Sequence, residues 1–252
     1  MSNYALENKT ENLISIINPG LNGKSGIEVA LLYRILPCKE IDSSELVKDA
    51  YIIQYGEDIP KDEFGEIHAD TIFNAFIPFR DFCVAKLIIL ARKDKCYQPL
   101  KNRTYRKDLN ELIYLYLDDI FRGYEDLREL FDKYFDLMYS FSNFMPVPRY
   151  FNGSEWKRGK GDWKLNKDYP SLFLDNLNDE TSSVYNREKN KVWLETNMEK
   201  YNIKEMYALN PPYSIGEYYS DEKLLNLKEF VQEAVRIIEE RFKEQQSRLC
   251  KF

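Results

Sequence analysis

The stretch IFNAFIPFRDFCVAKLIILARK, residues 72–93, carries apolar side chains on most sides of the helix that it predicts. A helix that is apolar all round is buried by its neighbours, so this stretch predicts the centre of the core. Asp70 and Thr71 precede it and are residue types that can cap a first turn. Pro78 predicts either a kink or the true first turn, because proline has no amide hydrogen to donate.

Helical periodicity continues on both sides of this central stretch. Residues 107–121 and 124–140 predict two amphipathic helices with a break near Gly123. Further helices are predicted at residues 26–36, 45–55, 170–179, 191–203 and, capped by Ser220, 221–249. Strand signals are confined to two short stretches, residues 13–20 and 145–152. We therefore predict a mostly α, single-domain helical fold over residues 1–252, with a flexible segment at 1–12 and a few short strands.

Composition sets the class of protein. Of the 252 residues, 44% are apolar and 15% aromatic, which is enough for a sizeable core. The formal net charge of −6 argues against attraction of nucleic acid to the whole surface. No apolar run reaches the roughly 18 residues of a membrane helix, and the polar N-terminus does not resemble a secretory signal. Four cysteines without a Cys-x-x-Cys pair fit reduced thiols, so we expect a cytoplasmic protein that does not enter a membrane.

Residues 141–170, FSNFMPVPRYFNGSEWKRGKGDWKLNKDYP, predict a long loop rich in proline, glycine and tryptophan. Aromatic residues alternate there with basic ones, and this combination binds single-stranded nucleic acid by stacking on bases and neutralising phosphates. The candidate ligand-binding residues of the loop are Arg149, Trp156, Lys157, Arg158, Lys160 and Trp163. The alternative is a loop whose tryptophans anchor it to the core and whose basic side chains lie in water.

A second candidate is NPGLNGKS, residues 18–25, which ends in Gly23-Lys24-Ser25 as a phosphate-binding P-loop does. The later segment LIYLYLDD, residues 112–119, imitates the apolar strand whose final aspartate would hold magnesium. Asn18 stands where that motif requires its first glycine, and the proline that follows removes a backbone N–H donor. A turn before a buried helix is the simpler interpretation.

His68 is the only histidine in the chain, so sites that need several histidines are excluded. It is also the only histidine that could serve a nucleophilic triad. With Glu66 and Asp70 it could form a mixed histidine–carboxylate metal site, but a surface histidine near a helix start is the simpler interpretation. We therefore predict no metal and no cofactor.

Two segments, ADTIFNAFIPFRDFCVAKL (69–87) and YSFSNFMPVPRYFNGSEWKRGKGDWKLNKDYPSLFLDNL (139–177), together resemble a family of bacterial proteins of unknown function. In that family an Asp-Thr pair opens a helix that contains an asparagine. A Gly-Asn-Phe-like step, a basic glycine loop and an Asp-Tyr helix start follow. Here Ser142 replaces the glycine of the step. The resemblance implies a bacterial cytoplasmic protein and brings no catalytic residues. It also implies a shared site, composed of Asp70, Asn74, Asn143, Arg149 and Arg158.

We expect from these observations an accessory or regulatory protein that acts by binding a macromolecule, with a protein partner encoded nearby. The first alternative is a protein that binds or processes a phosphate-bearing ligand, a nucleotide or nucleic acid, through residues 143–169. Asp70 or Asp168 would then be the acid–base candidate. The second alternative is a degenerate P-loop at Gly23-Lys24-Ser25. Whether the protein is an enzyme stays open at this point.

Overall fold

The computed structural model describes residues 25–32, 45–93, 106–138, 140–147, 187–200 and 220–249. These ranges are mostly α-helical, with eight α-helices and a two-stranded sheet, which confirms the predicted fold class. The elements in chain order are α1 (Gly26–Leu32), α2 (Glu45–Tyr55), β1 (His68–Thr71), α3 (Phe76–Lys93), α4 (Arg106–Leu115), α5 (Leu117–Phe121), α6 (Glu125–Met138), a 3₁₀ helix (Phe141–Asn143), β2 (Phe144–Val147), α7 (Arg187–Glu199) and α8 (Asp221–Leu249).

The apolar stretch that predicted the core centre forms α3 and is buried as expected. Pro78 is the third residue of this helix, so it lies in the first turn and causes no internal break. The predicted cap was wrong, because Asp70 and Thr71 belong to β1. Asn74 takes that role: its Oδ1 accepts a hydrogen bond of 3.2 Å from the amide of Phe76.

Aromatic rings from α3 and α6 make the centre of the core. The ring centroid of Phe79 lies 4.9 Å from that of Phe131 and 5.0 Å from that of Phe135, in edge-to-face geometry. The buried residues of α6 follow helical spacing and face this cluster; they are Leu127, Phe131, Tyr134, Phe135 and Met138.

Helix α1 packs very closely against α6. A Cβ on Gly26 would lie 2.3 Å from the carbonyl oxygen of Asp132, so only glycine allows this approach. The amide of Ile27 also donates to Asp132 Oδ1 over 2.9 Å, which fixes the start of α1 on α6. α8 packs on α6 as well, so α6 is shared by the first and last described helices.

The other sequence predictions can be compared with these bounds. α2 and α8 have the predicted limits, and Ser220 Oγ accepts from the amide of Lys223 over 3.2 Å, which confirms the cap. The helix predicted at 107–121 is interrupted at Tyr116, whose φ of −112° and ψ of 19° are not helical. The break at Gly123 is confirmed, with a φ of 81°. α7 begins at Arg187, four residues before the predicted start at 191. The predictions for residues 1–12, 13–20, 33–36 and 170–179 lie outside the described residues.

The sheet pairs β1 with β2 in antiparallel order, with His68 opposite Val147 and Thr71 opposite Phe144. A short strand was predicted within 145–152 and is found at 144–147. β1 was not predicted, because HADT has neither apolar alternation nor β-branched enrichment. The first seven residues of the predicted loop at 141–170 are therefore a 3₁₀ helix and a strand instead of loop.

Candidate functional site

The two segments that carry the family resemblance meet in the fold. Asp70 lies opposite Met145 in the sheet, and the amide of Ile72 donates to the carbonyl oxygen of Asn143 over 2.6 Å. The segment after Asp70 therefore lies along the segment after Ser142. We call this junction of residues 68–75 with 140–147 the seam.

Asn143 is completely buried at the centre of the seam. Its Oδ1 accepts from the amide of Phe73 over 3.1 Å, and its Nδ2 donates to the carbonyl oxygens of Phe73 and Met138 over 3.1 and 2.8 Å. Tyr134 adds a second cross-link, since its hydroxyl donates to Phe73 O and accepts from the amide of Ala75. The side chain of Asn143 thus binds the protein's own backbone. Asn74 caps α3, so both predicted asparagines have a structural task, and their role in ligand binding stays a prediction.

The seam is also held by side chains of α8 that sequence reasoning missed. Arg241, only 3% exposed, donates to the carbonyl oxygens of Ser142 and Phe144 over 2.6 and 2.9 Å and to the hydroxyl of Tyr55 over 2.6 Å. Gln245, one turn later and fully buried, accepts from Ser142 Oγ over 2.7 Å. The spacing contained a signal: Ala234, Ile238, Arg241 and Gln245 share one helix face, and polar residues on a buried face bind buried polar groups.

The remaining predicted site residues lie outside the described residues; they are Arg149, Trp156, Lys157, Arg158, Lys160, Trp163 and Asp168. Their roles stay predictions. The described part of their segment ends at Val147, the last residue of β2, which lies opposite His68.

The described part of the P-loop candidate is a helix cap. Ser25 Oγ accepts from the amide of Glu28 over 3.3 Å, and Glu28 Oε2 accepts from the amide of Ser25 over 3.2 Å. This reciprocal pair of bonds is a capping box. The neighbouring amide of Ile27 donates to the carboxylate of Asp132. A P-loop would use such amides for phosphate. The segment 112–119 is helical in α4 and α5 rather than a strand. Both observations disfavour the P-loop alternative.

His68 lies in β1 and contacts a buried carboxylate. Its Nε2 is 3.0 Å from Asp62 Oδ2, and the side chains are 41% and 3% exposed. Asp62 Oδ1 accepts from the amides of Phe64 and Glu66, each over 2.9 Å. Burial opposes ionisation of Asp62, but the bonds from His68 and the two amides outweigh it and lower its pKa. We call Asp62 and His68 the dyad.

The loop that carries the dyad is tied to its surroundings by ion pairs. Lys48 of α2 binds Glu66 over 2.6 Å, and Lys189 of α7 binds Asp58 over 3.4 Å. The turn itself closes through Asp62 N–H to Glu66 O over 3.0 Å, with Gly65 at a φ of 82°. These contacts hold the dyad at a defined place on the surface.

A groove opens along the outer face of α7 and encloses about 510 Å³. The apolar side of Trp193 packs edge-on against Tyr55, with ring centroids 5.7 Å apart, and Val192 is 63% exposed. The full lining is Asp58, Glu188, Lys189, Val192, Trp193, Thr196 and Asn197.

Among the described residues, no cluster of three or more histidine, cysteine, aspartate or glutamate side chains could hold a metal ion. None of the helices in the described ranges combines the length and apolar character that a membrane crossing requires. The metal site considered at Glu66, His68 and Asp70 includes the side chain of Asp70, which lies outside the described part of the structure.

Comparisons of the chain with protein-family models, with curated proteins and with solved structures found no match. The resemblance to the bacterial family therefore stays a prediction, and functional argument depends on the geometry above.

Proposed function

We propose that this protein is an accessory or regulatory protein of the bacterial cytoplasm that acts by binding a partner protein. The observation that supports the proposal is the groove along α7. Its volume of about 510 Å³ is large enough for one or two apolar side chains of a partner.

Helical spacing explains why the groove presents one continuous surface. Val192 and Trp193 come three and four residues after Lys189, and Thr196 and Asn197 come three and four residues after Trp193, so their side chains share a face. Val192 leaves most of its surface to solvent, which a partner would bury. Tryptophan is enriched at the energetic centres of interfaces, and Trp193 is held in place by Tyr55.

The rim of the groove favours a protein partner over a nucleic acid. Asp58 and Glu188 are 94% and 75% exposed, and each is paired, Asp58 with Lys189 and Glu188 with Arg187. The rim therefore has no excess of positive charge to attract a phosphate backbone, whereas a protein with charges of both signs can pair with it.

The test compares capture of partners from host lysate by the native protein, Val192→Glu and a control, Leu225→Glu. Leu225 is 64% exposed on α8 and lies outside the groove, so it matches Val192 in exposure. We expect a specific protein bound by the native chain and the control, and captured at least roughly tenfold less by Val192→Glu. Equal loss in both variants would reject the groove, and no specific protein on the native chain would reject the function.

A second candidate is the phosphate-bearing ligand, a nucleotide or nucleic acid. The observation in its favour is that the seam joins the two segments whose residues were predicted to share a site. Arg149, Lys157, Arg158 and Lys160 would neutralise phosphate. We expect oligonucleotides or nucleotides to raise the melting temperature at low salt and Arg158→Ala to reduce that shift. Absence of any shift at low salt would reject this candidate.

A further inference from the structure

The dyad fixes which nitrogen of His68 carries the proton. Asp62 Oδ1 already accepts two amide hydrogens, and its ionised form is the favoured one, so Oδ2 also acts as an acceptor. Nε2, 3.0 Å away, must then donate. In neutral His68 the lone pair therefore lies on Nδ1, as in other histidines that a carboxylate holds in one tautomer.

Part of the His68 side chain is accessible to solvent. It is 41% exposed although Asp62 is almost completely buried. Within the part of the chain that the structure describes, the hydrogen bond to Asp62 is the one that the imidazole of His68 makes. A buried, ionised aspartate behind an accessible imidazole is the arrangement that orients a histidine for proton transfer or nucleophilic attack.

We propose that Asp62 and His68 form a reactive site for acyl groups, with Nδ1 of His68 as the attacking atom. This proposal does not depend on the groove. An acyl group without negative charge is the substrate class, because the ionised Asp62 and the exposed Glu63 lie close to His68 in the sequence and disfavour anions, while Glu66 is paired with Lys48.

Water is the only other reactant that the step requires. The Nδ1 lone pair attacks the carbonyl carbon of an ester or anhydride, the N–C bond forms, and the alkoxide or carboxylate leaves. The resulting acylimidazolium keeps its Nε2 proton, and the Asp62 carboxylate stabilises its positive charge. Water then adds to the acyl carbon and the N–C bond breaks. The carboxylic acid keeps one proton of the water, the other proton neutralises the alkoxide or carboxylate released first, and His68 is restored with Nε2 protonated.

One experiment measures the tautomer directly. Because the chain has a single histidine, a ¹⁵N spectrum of the imidazole contains one pair of nitrogen signals. In the native protein, at a pH at which the imidazole is neutral, we expect a protonated Nε2 and an unprotonated Nδ1. A protonated Nδ1 would overturn the proposal.

A second experiment measures reactivity with diethyl pyrocarbonate, an uncharged acyl donor. We expect His68 to be acylated roughly tenfold or more faster than Nα-acetylhistidine amide at equal fractions of neutral imidazole. A histidine with only a structural role, partly covered and hydrogen-bonded, would react more slowly than Nα-acetylhistidine amide. That result would overturn the proposal.

Asp62→Asn tests the carboxylate, and Glu57→Gln is the matched control from the same loop, because Glu57 is 78% exposed and pairs with Lys61. The side-chain oxygen of the Asp62→Asn variant can still accept the two amides, but its side-chain nitrogen donates to His68 and moves the imidazole proton to Nδ1. We expect the acylation rate of His68 to fall at least tenfold and the protonated nitrogen to change from Nε2 to Nδ1. The control variant should keep the native acylation rate and the native tautomer. A folded Asp62→Asn protein with the native rate would reject the dyad. If that variant does not fold, the two measurements on the native chain decide.

Discussion

The seam and the dyad are both built from buried polar groups, but they differ in where the polar atoms point. In the seam, Asn143 and Arg241 bind the protein's own backbone carbonyls and amides. In the dyad, Asp62 is buried in the same manner, yet its partner His68 keeps an accessible ring. A buried polar residue therefore does not indicate a functional site by itself. The dyad is proposed as a site because Asp62 orients a side chain that solvent can reach.

The largest expected effect breaks the seam. Arg241→Met keeps most of the volume but leaves the carbonyls of Ser142 and Phe144 without their donor. We expect a loss of about 3–5 kcal/mol in the free energy of unfolding. Urea unfolding measures it. Arg236→Met is the control, because Arg236 lies on the same helix, half exposed, and pairs with Glu233 and Glu240; we expect a change below about 1 kcal/mol. If the two variants lose the same free energy of unfolding, the bonds from Arg241 to the carbonyls of Ser142 and Phe144 add no stability of their own.

Asn143→Ala tests the same region from the other side. It removes the acceptor of the Phe73 amide and the donor to Met138 O, while Tyr134 still binds Phe73 O. We expect a loss of about 2–4 kcal/mol, somewhat below that of Arg241→Met. Asn197→Ala, whose side chain binds only the carbonyl of Trp193, should lose less than about 1 kcal/mol by the same measurement.

For the dyad we expect the free energy of unfolding to depend on pH rather than to fall greatly at neutral pH. Since the pKa of Asp62 is lowered in the folded protein, its ionised form stabilises the fold above the unfolded pKa of about 4. That contribution is lost as pH falls through the lower, folded pKa. Unfolding measured from neutral pH to below that range should show a smaller acid-induced loss in Asp62→Asn than in the native protein. An equal acid-induced loss of unfolding free energy in the native protein and in Asp62→Asn would contradict this prediction.

The smallest expected effect concerns the ion pairs around the dyad. Lys48→Met removes the pair with Glu66, whose side chain is 56% exposed. We expect a change within about 1 kcal/mol, because solvent and salt screen such pairs. Thermal unfolding at low and high salt measures it. A change as large as that of Arg241→Met would place the loop among the elements that hold the fold together.

Periodicity predicted what depends on local spacing, and missed what depends on distant partners. The bounds of α2 and α8 follow from apolar spacing and the Ser220 cap. β1 could not be predicted, since HADT becomes a strand only by pairing with residues 144–147. Because β1 was not predicted, the helix cap was placed at Asp70, which belongs to that strand, rather than at Asn74.

The candidate site shows the same limit. The segments after Asp70 and Ser142 lie side by side, but neither composition nor spacing could bring Asp62 to His68. Six residues separate them, and the turn at Gly65 with two amide bonds to one carboxylate oxygen closes the distance. Arg241 was assigned to a helix without its buried role, because its partners are about a hundred residues away.

The contact between Gly26 and α6 has a consequence for the order in which the chain can assemble. α1 rests on Asp132, 105 residues later than the Ile27 amide that binds it. On the ribosome this helix therefore emerges long before its support exists, and a helix of seven residues has little stability alone. Limited proteolysis of nascent chains ending before and after Met138 would detect that delay. α1 must wait for the middle of the chain, so its apolar face is available to a chaperone throughout that interval.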